Sequence, residues 1–110
     1  LIESTGGLFT TVEDYNTFLY RMFLSNTTAL ISPAAARRWL RSFFTNPDFV
    51  TEVGMPWEVY LQTLPSGRNT KVYGKSGGIF TFHAYISVNT NLGFSVIEPR
   101  SWCLTIGRRV

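Results

Sequence analysis

At 110 residues the chain is about one small domain in length, which excludes several domains within this span. With 45% hydrophobic, 15% aromatic and 15% charged residues it has ample material for a core, which excludes intrinsic disorder. The net charge of +3 is mild, the single cysteine excludes an intramolecular disulfide framework and a multi-cysteine zinc site, and the single histidine excludes a multi-histidine one.

The first half of the chain reads helical. Thr11 can cap the N–H groups of a helix whose third position is Asp14, an acidic variant of the capping box. Residues 12–24 then place Val12, Tyr15, Phe18, Leu19, Met22 and Phe23 at helical spacing, predicting an amphipathic helix. Ser25-Asn26-Thr27-Thr28 breaks it, and Ser32-Pro33 starts another, since proline at the first helical position loses no needed N–H. This second helix is predicted to run to Phe43 or Phe44, with Asn46-Pro47-Asp48 ending the helical half. Arg37, Arg38 and Arg41 on it read as a solvated face.

Strand character follows. Residues 55–64 alternate loosely, and Pro65-Ser66-Gly67-Arg68-Asn69 has the turn chemistry for a hairpin into 70–73. Gly74-Lys75-Ser76-Gly77-Gly78 reads as an interruption, followed by a long strand over 79–88. On that strand Phe80, Phe82, Ala84, Ile86 and Val88 share one face, and Thr81, His83, Tyr85 and Ser87 the other. Asn89-Thr90-Asn91 turns the chain, 93–97 is the last strand, and Glu98-Pro99-Arg100 breaks the pattern. The expected fold class is α+β: two or three helices ahead of an antiparallel sheet of three to four strands, helices on one face. The domain is read as 1–97, with 98–110 as a tail of irregular pattern. No stretch approaches the roughly 18 apolar residues of a membrane-spanning helix. Asn26-Thr27-Thr28 is an N-glycosylation sequon, by itself a weak sign of compartment.

The most informative segment is Tyr73-Gly74-Lys75-Ser76-Gly77-Gly78. Missing side chains let a ligand lie close to the backbone and take hydrogen bonds from its N–H groups. The Lys75 ammonium supplies charge, the Ser76 hydroxyl can donate to a carboxylate, and a glycine N–H can face a developing oxyanion. The same six residues also fit a glycine-rich turn with an exposed lysine.

The wider order of motifs resembles a known family. A glycine-containing loop, Ser4-Thr5-Gly6-Gly7-Leu8-Phe9, enters a helix bearing Asp14. Ile31-Ser32-Pro33 opens a second helix, and Lys75-Ser76-Gly77-Gly78 follows among strands. Over residues 1–97 this resembles the C-terminal part of serine β-lactamases and penicillin-binding-protein-related hydrolases, most closely the branch of class C β-lactamases with their esterase and peptidase relatives. In that family a serine on a Ser-x-x-Lys helix attacks a carbonyl, a Tyr-x-Asn loop aids proton transfer, and a Lys-Thr-Gly box lies on a strand lining the cleft. The resemblance maps Lys75, Ser76 and Gly77 onto that box. It implies that Lys75 sets the catalytic electrostatics and attracts a substrate carboxylate, that Ser76 bonds that carboxylate, that Gly77 permits close approach, and that the Gly78 N–H forms half of an oxyanion hole.

Departures from the family shape the expectation. No serine in the chain has a lysine three residues later, and Tyr15-Asn16 and Tyr85-Ile86-Ser87 fall on a helix and a strand instead of a cleft loop. Leu1-Ile2-Glu3-Ser4 has no initiator methionine, so the chain reads as a fragment of an incomplete β-lactamase/transpeptidase-like fold. Its expected partners are the missing N-terminal part of its domain and a small acyl substrate: an amide, lactam or ester. Activity of this chain alone is not expected, because without a nucleophile no acyl-enzyme forms. No cofactor, metal or nucleic acid is implied.

Two other function classes stand beside this. A non-catalytic binding module would keep the lysine-glycine edge as a groove. A single-stranded nucleic-acid binder would stack bases on Phe80, Phe82 and Tyr85 beside Lys71 and Lys75, although Tyr85 is predicted on the opposite face from the two phenylalanines. His83 reads as an ordinary strand residue, and Cys103 as a small hydrophobe or a tail residue.

Overall fold

The structure, a computed structural model, describes residues 8–79 and 82–100. Helix α1 spans Val12–Leu19 and runs directly into a π turn over Tyr20–Leu24; α2 spans Pro33–Trp39. Six strands follow: β1 Ser42–Thr45, β2 Thr51–Gly54, β3 Glu58–Thr63, β4 Asn69–Ile79, β5 Phe82–Asn89 and β6 Phe94–Arg100. They form one antiparallel sheet in which each strand pairs with the next in sequence.

Both predicted helix starts are present. The Thr11 hydroxyl accepts from the Asp14 N–H at 3.0 Å, and the Ser32 hydroxyl accepts from the Ala35 N–H at 3.2 Å with Pro33 in the first helical turn. The first helix ends where expected, through the π turn closed by the Ser25 N–H on the Tyr20 carbonyl at 2.8 Å. Ser25 then stabilises the loop by accepting from the Thr28 N–H at 2.9 Å.

The sheet corrects the expected three or four strands to six. Helix α2 stops at Trp39, and 42–44, assigned from sequence to its end at Phe43 or Phe44, instead fall in β1. Asp48 explains the difference. Its Oδ1 accepts from the N–H groups of Val50 and Thr51, both at 2.9 Å, and its Oδ2 accepts from the Thr51 hydroxyl at 2.6 Å. Asn46-Pro47-Asp48 is thus the turn of a β1–β2 hairpin, and the aromatic and β-branched residues on either side pair across it. A bulge between Ser42 and Phe44 accommodates an extra residue in β1.

Two more corrections concern glycine and proline. The segment 74–78 does not interrupt a strand but continues β4 in unbroken register against β5. Cross-strand rings take the place of the missing side chains: Tyr85 lies over Gly74 and His83 over Gly78. The predicted strand 79–88 is divided, Ile79 ending β4 and Phe82 opening β5, while Phe80 and Thr81 lie outside the described residues. Strand β6 runs through Glu98-Pro99-Arg100. A proline is tolerated there because β6 has β5 on one side and no described strand on the other, so the missing N–H removes no ladder bond from a second neighbour. Residues 101–110, including Cys103, lie outside the described residues.

The core sits under the helices. Val59, Tyr73 and Val88 are cross-strand neighbours on one face of β3, β4 and β5. Leu40 and Trp57 close over them, with Phe23, Leu24 and Ile86 packed at the margin. The rings of Phe23, Trp39 and Trp57 meet one another at 5.4–5.8 Å between centroids, Phe23 edge-on to Trp57. Helix α1 is tied to the same face at β6, where the Ser95 hydroxyl donates to Asn16 Oδ1 at 2.5 Å. The β5–β6 turn is held by Asn89, which is fully buried: its Oδ1 accepts from the N–H groups of Asn91 and Leu92, and its side chain bonds Thr70.

Leu19 is 1% exposed and anchors α1. Leu19→Ala should lower the unfolding free energy by about 2–5 kcal/mol, the range for emptying a buried leucine site, as measured by urea denaturation.

Candidate functional site

The arrangement of 75–78 follows from unequal strand lengths. Strand β3 begins at Glu58, which pairs with Gly74, so among the described residues no strand pairs with 75–79 on that side. On the other side these residues are fully paired with β5, from Lys75 opposite Ile86 to Ile79 opposite Phe82. The four sequence-predicted site residues therefore lie together on a free strand edge. Ser76, Gly77 and Gly78 are exposed and Lys75 is half-buried.

Backbone alternation orients that edge. The Ser76 N–H points away from β5 toward Glu58, and the Ser76 carbonyl accepts from Lys75 Nζ at 2.5 Å. In an antiparallel strand residues two apart point their N–H groups the same way, so the Gly78 N–H faces the same open edge. A Cβ at Gly77 would meet nothing within 4 Å, leaving the backbone there accessible. A Cβ at Gly78 would come within 2.5 Å of His83 Nδ1, which puts the imidazole across Gly78 on the exposed side of the sheet.

Glu58 completes the cluster. Its Oε1 accepts from the Ser76 hydroxyl at 2.7 Å, from Lys75 Nζ at 3.2 Å and, at a long 3.4 Å, from the Ser76 N–H. The Ser76 hydroxyl bond is the main reason that the Glu58 carboxyl is held below its ordinary range; burial opposes it, and Lys75 adds to the lowering. The pair is accessible to water, with side-chain exposures of 42% for Lys75 and 38% for Glu58, so the ion pair itself contributes at most about 1 kcal/mol to stability. Sequence reading missed Glu58. The signal was in the hairpin: counting outward from Thr63 opposite Asn69, the register reaches Glu58 opposite Gly74, with Ser76 on the adjacent diagonal. Beside it, burial foremost, with Tyr60, Glu58 and Glu98 nearby, pushes the Tyr85 phenol up.

A second constellation lies elsewhere on β4. Lys71 Nζ donates to Glu52 Oε2 at 2.6 Å, and the Ser42 hydroxyl donates to the same oxygen. These residues, from β4, β2 and β1, line a cleft of about 970 Å³ beneath α2 and the loop after the π turn, with Arg37 and Arg41 at its wall. The residues 75–78 are not among those lining this cleft or the smaller hollow at α1 and β6. Among the described residues no group of three or more His, Cys, Asp or Glu is gathered. No described helix is long and apolar enough to cross a membrane. Of the residues considered for stacking bases, Phe82 and Tyr85 occupy opposite faces of β5, Lys71 and Lys75 are each paired with a carboxylate, and Phe80 is outside the described residues. Asn26 of the sequon is exposed in the loop after the π turn.

The chain is similar to a β-lactamase-like protein of Arthroderma benhamiae, with 32% identity over 98 residues, covering 84% of this chain and 16% of that protein. That similarity supports a relation to β-lactamase-like proteins, and it reaches only a small part of the relative's length. No protein-family model matches the chain, and no solved structure matches it.

The Lys71 bond first, then the Ser42 bond, lowers the Glu52 carboxyl from its ordinary 4.5. A lowered folded value means that stability is present above the unfolded value and is lost as pH falls through the folded one. Thermal melts should therefore show Glu52→Gln below the parent near neutral pH, with the gap closing as the pH is taken below about 4.5. Two glycines of β4, Gly74 and Gly77, should respond differently. Gly77→Ala should be neutral or stabilising by up to about 1 kcal/mol. Gly74→Ala, whose Cβ would displace the end of the Tyr85 ring, should be less favourable than Gly77→Ala in the same denaturation measurement.

Proposed function

We propose that this chain is the C-terminal, strand-edge part of a serine hydrolase related to β-lactamases, of the branch that includes class C enzymes and their esterase and peptidase relatives. The observation that carries the reading is the edge of β4, where Lys75, Ser76 and the outward N–H of Gly78 stand in a row with no strand against them among the described residues. Similarity to a β-lactamase-like protein supports the same assignment. In this reading a serine of a Ser-x-x-Lys helix, outside these 110 residues, attacks the carbonyl carbon of an ester, amide or lactam. The carbonyl oxygen becomes the oxyanion, held by the Gly78 N–H and by the N–H of the nucleophile. The alcohol or amine leaves with a proton, and water then releases the acid and restores the serine. Lys75 supplies positive potential beside the reacting groups, and the Ser76 hydroxyl orients the substrate. The chain by itself carries no Ser-x-x-Lys, so it forms no acyl-enzyme alone.

Fluorophosphonate labelling of the full-length gene product tests this. Labelling is expected on a serine followed three residues later by lysine, and Lys75→Ala should slow labelling by about 10²–10³-fold, the usual loss when a charge-stabilising group is removed. A full-length product that takes no label has no activated serine, and the edge is then a non-catalytic binding groove.

A further inference from the structure

We propose that Glu58 is a specificity-determining residue that occupies the carboxylate position of the β4 edge and so directs the site toward uncharged acyl compounds. This rests on the reading of 75–78 as a substrate-facing edge, and it identifies the substrate class of that edge.

Lys75 and Ser76 are the groups that an anionic ligand would use, because an ammonium and a hydroxyl together make charge-assisted hydrogen bonds to a carboxylate. Both are already engaged. Lys75 Nζ at 3.2 Å and the Ser76 hydroxyl at 2.7 Å converge on one oxygen of Glu58, and the Ser76 N–H approaches the same atom. The pairing is built by the fold. Glu58 is opposite Gly74 in the β3–β4 register, no Cβ stands between it and the next outward-facing residue, and its side chain reaches the diagonal neighbour Ser76. An incoming carboxylate would have to displace Glu58 or approach it as a like charge.

Farther along the edge the situation is the opposite. Gly77 is open and the Gly78 N–H points outward where, among the described residues, no strand pairs with it, so a neutral carbonyl oxygen can meet that donor beside the position that Glu58 occupies. That combination favours an ester or amide whose acyl group carries no carboxylate. With side chains only about 40% exposed, Lys75 and Glu58 remain within reach of a ligand, so the contest takes place at an accessible surface.

The test is a titration of the ²H,¹⁵N-labelled full-length gene product and its Glu58→Gln variant with sodium benzoate and with benzamide, an anionic and a neutral probe of similar shape, following the amide resonances of Ser76, Gly77 and Gly78. The parent should bind benzamide in preference to benzoate. In Glu58→Gln the benzoate affinity should rise at least tenfold with benzamide little changed, and adding Lys75→Met to that variant should remove the gain. An unchanged dispersion of the remaining resonances certifies the fold of each variant, and Glu58→Ala provides a second removal of the charge. If benzamide perturbs 76–78 but benzoate binds the two Glu58 variants no better than the parent, Glu58 does not set selectivity and the acyl-edge reading survives. If neither probe perturbs those amides in any of the proteins, the edge is not a carbonyl site and both readings fall.

Discussion

Everything proposed for this chain depends on β4 being longer than its neighbour. Of its eleven residues, 73–79 pair with β5, whereas β3 has six and meets β4 only as far as Gly74. An antiparallel strand that outruns one partner keeps its hydrogen bonds on one side and presents bare N–H and C=O groups on the other. Such an edge either recruits another strand or is used, and here it holds Lys75, Ser76 and two glycines. A charged side chain on an edge works against further strand pairing, while glycine lets a small ligand approach the backbone.

The glycines need support to serve in a strand. Backbone freedom and the absence of side-chain contacts make glycine a poor strand residue, and 74–78 would be a weak point if left bare. Tyr85 and His83 supply the cover from β5, each ring lying across a glycine on the opposite strand. The same arrangement sets the chemistry of the exposed face, since it places an imidazole next to the Gly78 amide and a phenol near Glu58 and Ser76.

Along β4 the lysines act as a repeated device in two environments. Lys71 and Lys75 each bond a glutamate from a preceding strand together with a hydroxyl, Ser42 in one case and Ser76 in the other. Glu52 is nearly dry, with 11% of its side chain exposed, and lies in the wall of the cleft, where a triad of this kind ties three strands together. Glu58 is wet and on the rim, where the same chemistry does little for stability.

The local features were legible in the residues. Thr11 and Ser32 announce the two helix starts because a capping hydroxyl acts over three residues, and the Pro65–Asn69 turn chemistry announces the β3–β4 hairpin for the same reason of range. The cluster 75–78 was legible as one stretch of chain with donors and no bulk. Other features needed the tertiary structure. Phe43 and Phe44 suit a helix or a strand, and only pairing with β2 across the Asp48 turn selects the strand. The glycines at 74 and 78 look like a break until rings from β5 cover them, and Pro99 looks like an end until β6 is seen to lie at the side of the sheet. The pairing of Glu58 with Lys75 and Ser76 spans about eighteen residues and exists only in the β3–β4 register. By itself the sequence determined where the two helices begin, where the β3–β4 hairpin turns and that Lys75, Ser76, Gly77 and Gly78 stand together in one stretch, since those are matters of neighbouring residues. The number of strands, the free edge and the carboxylate placed against it were decided only when distant segments came into register.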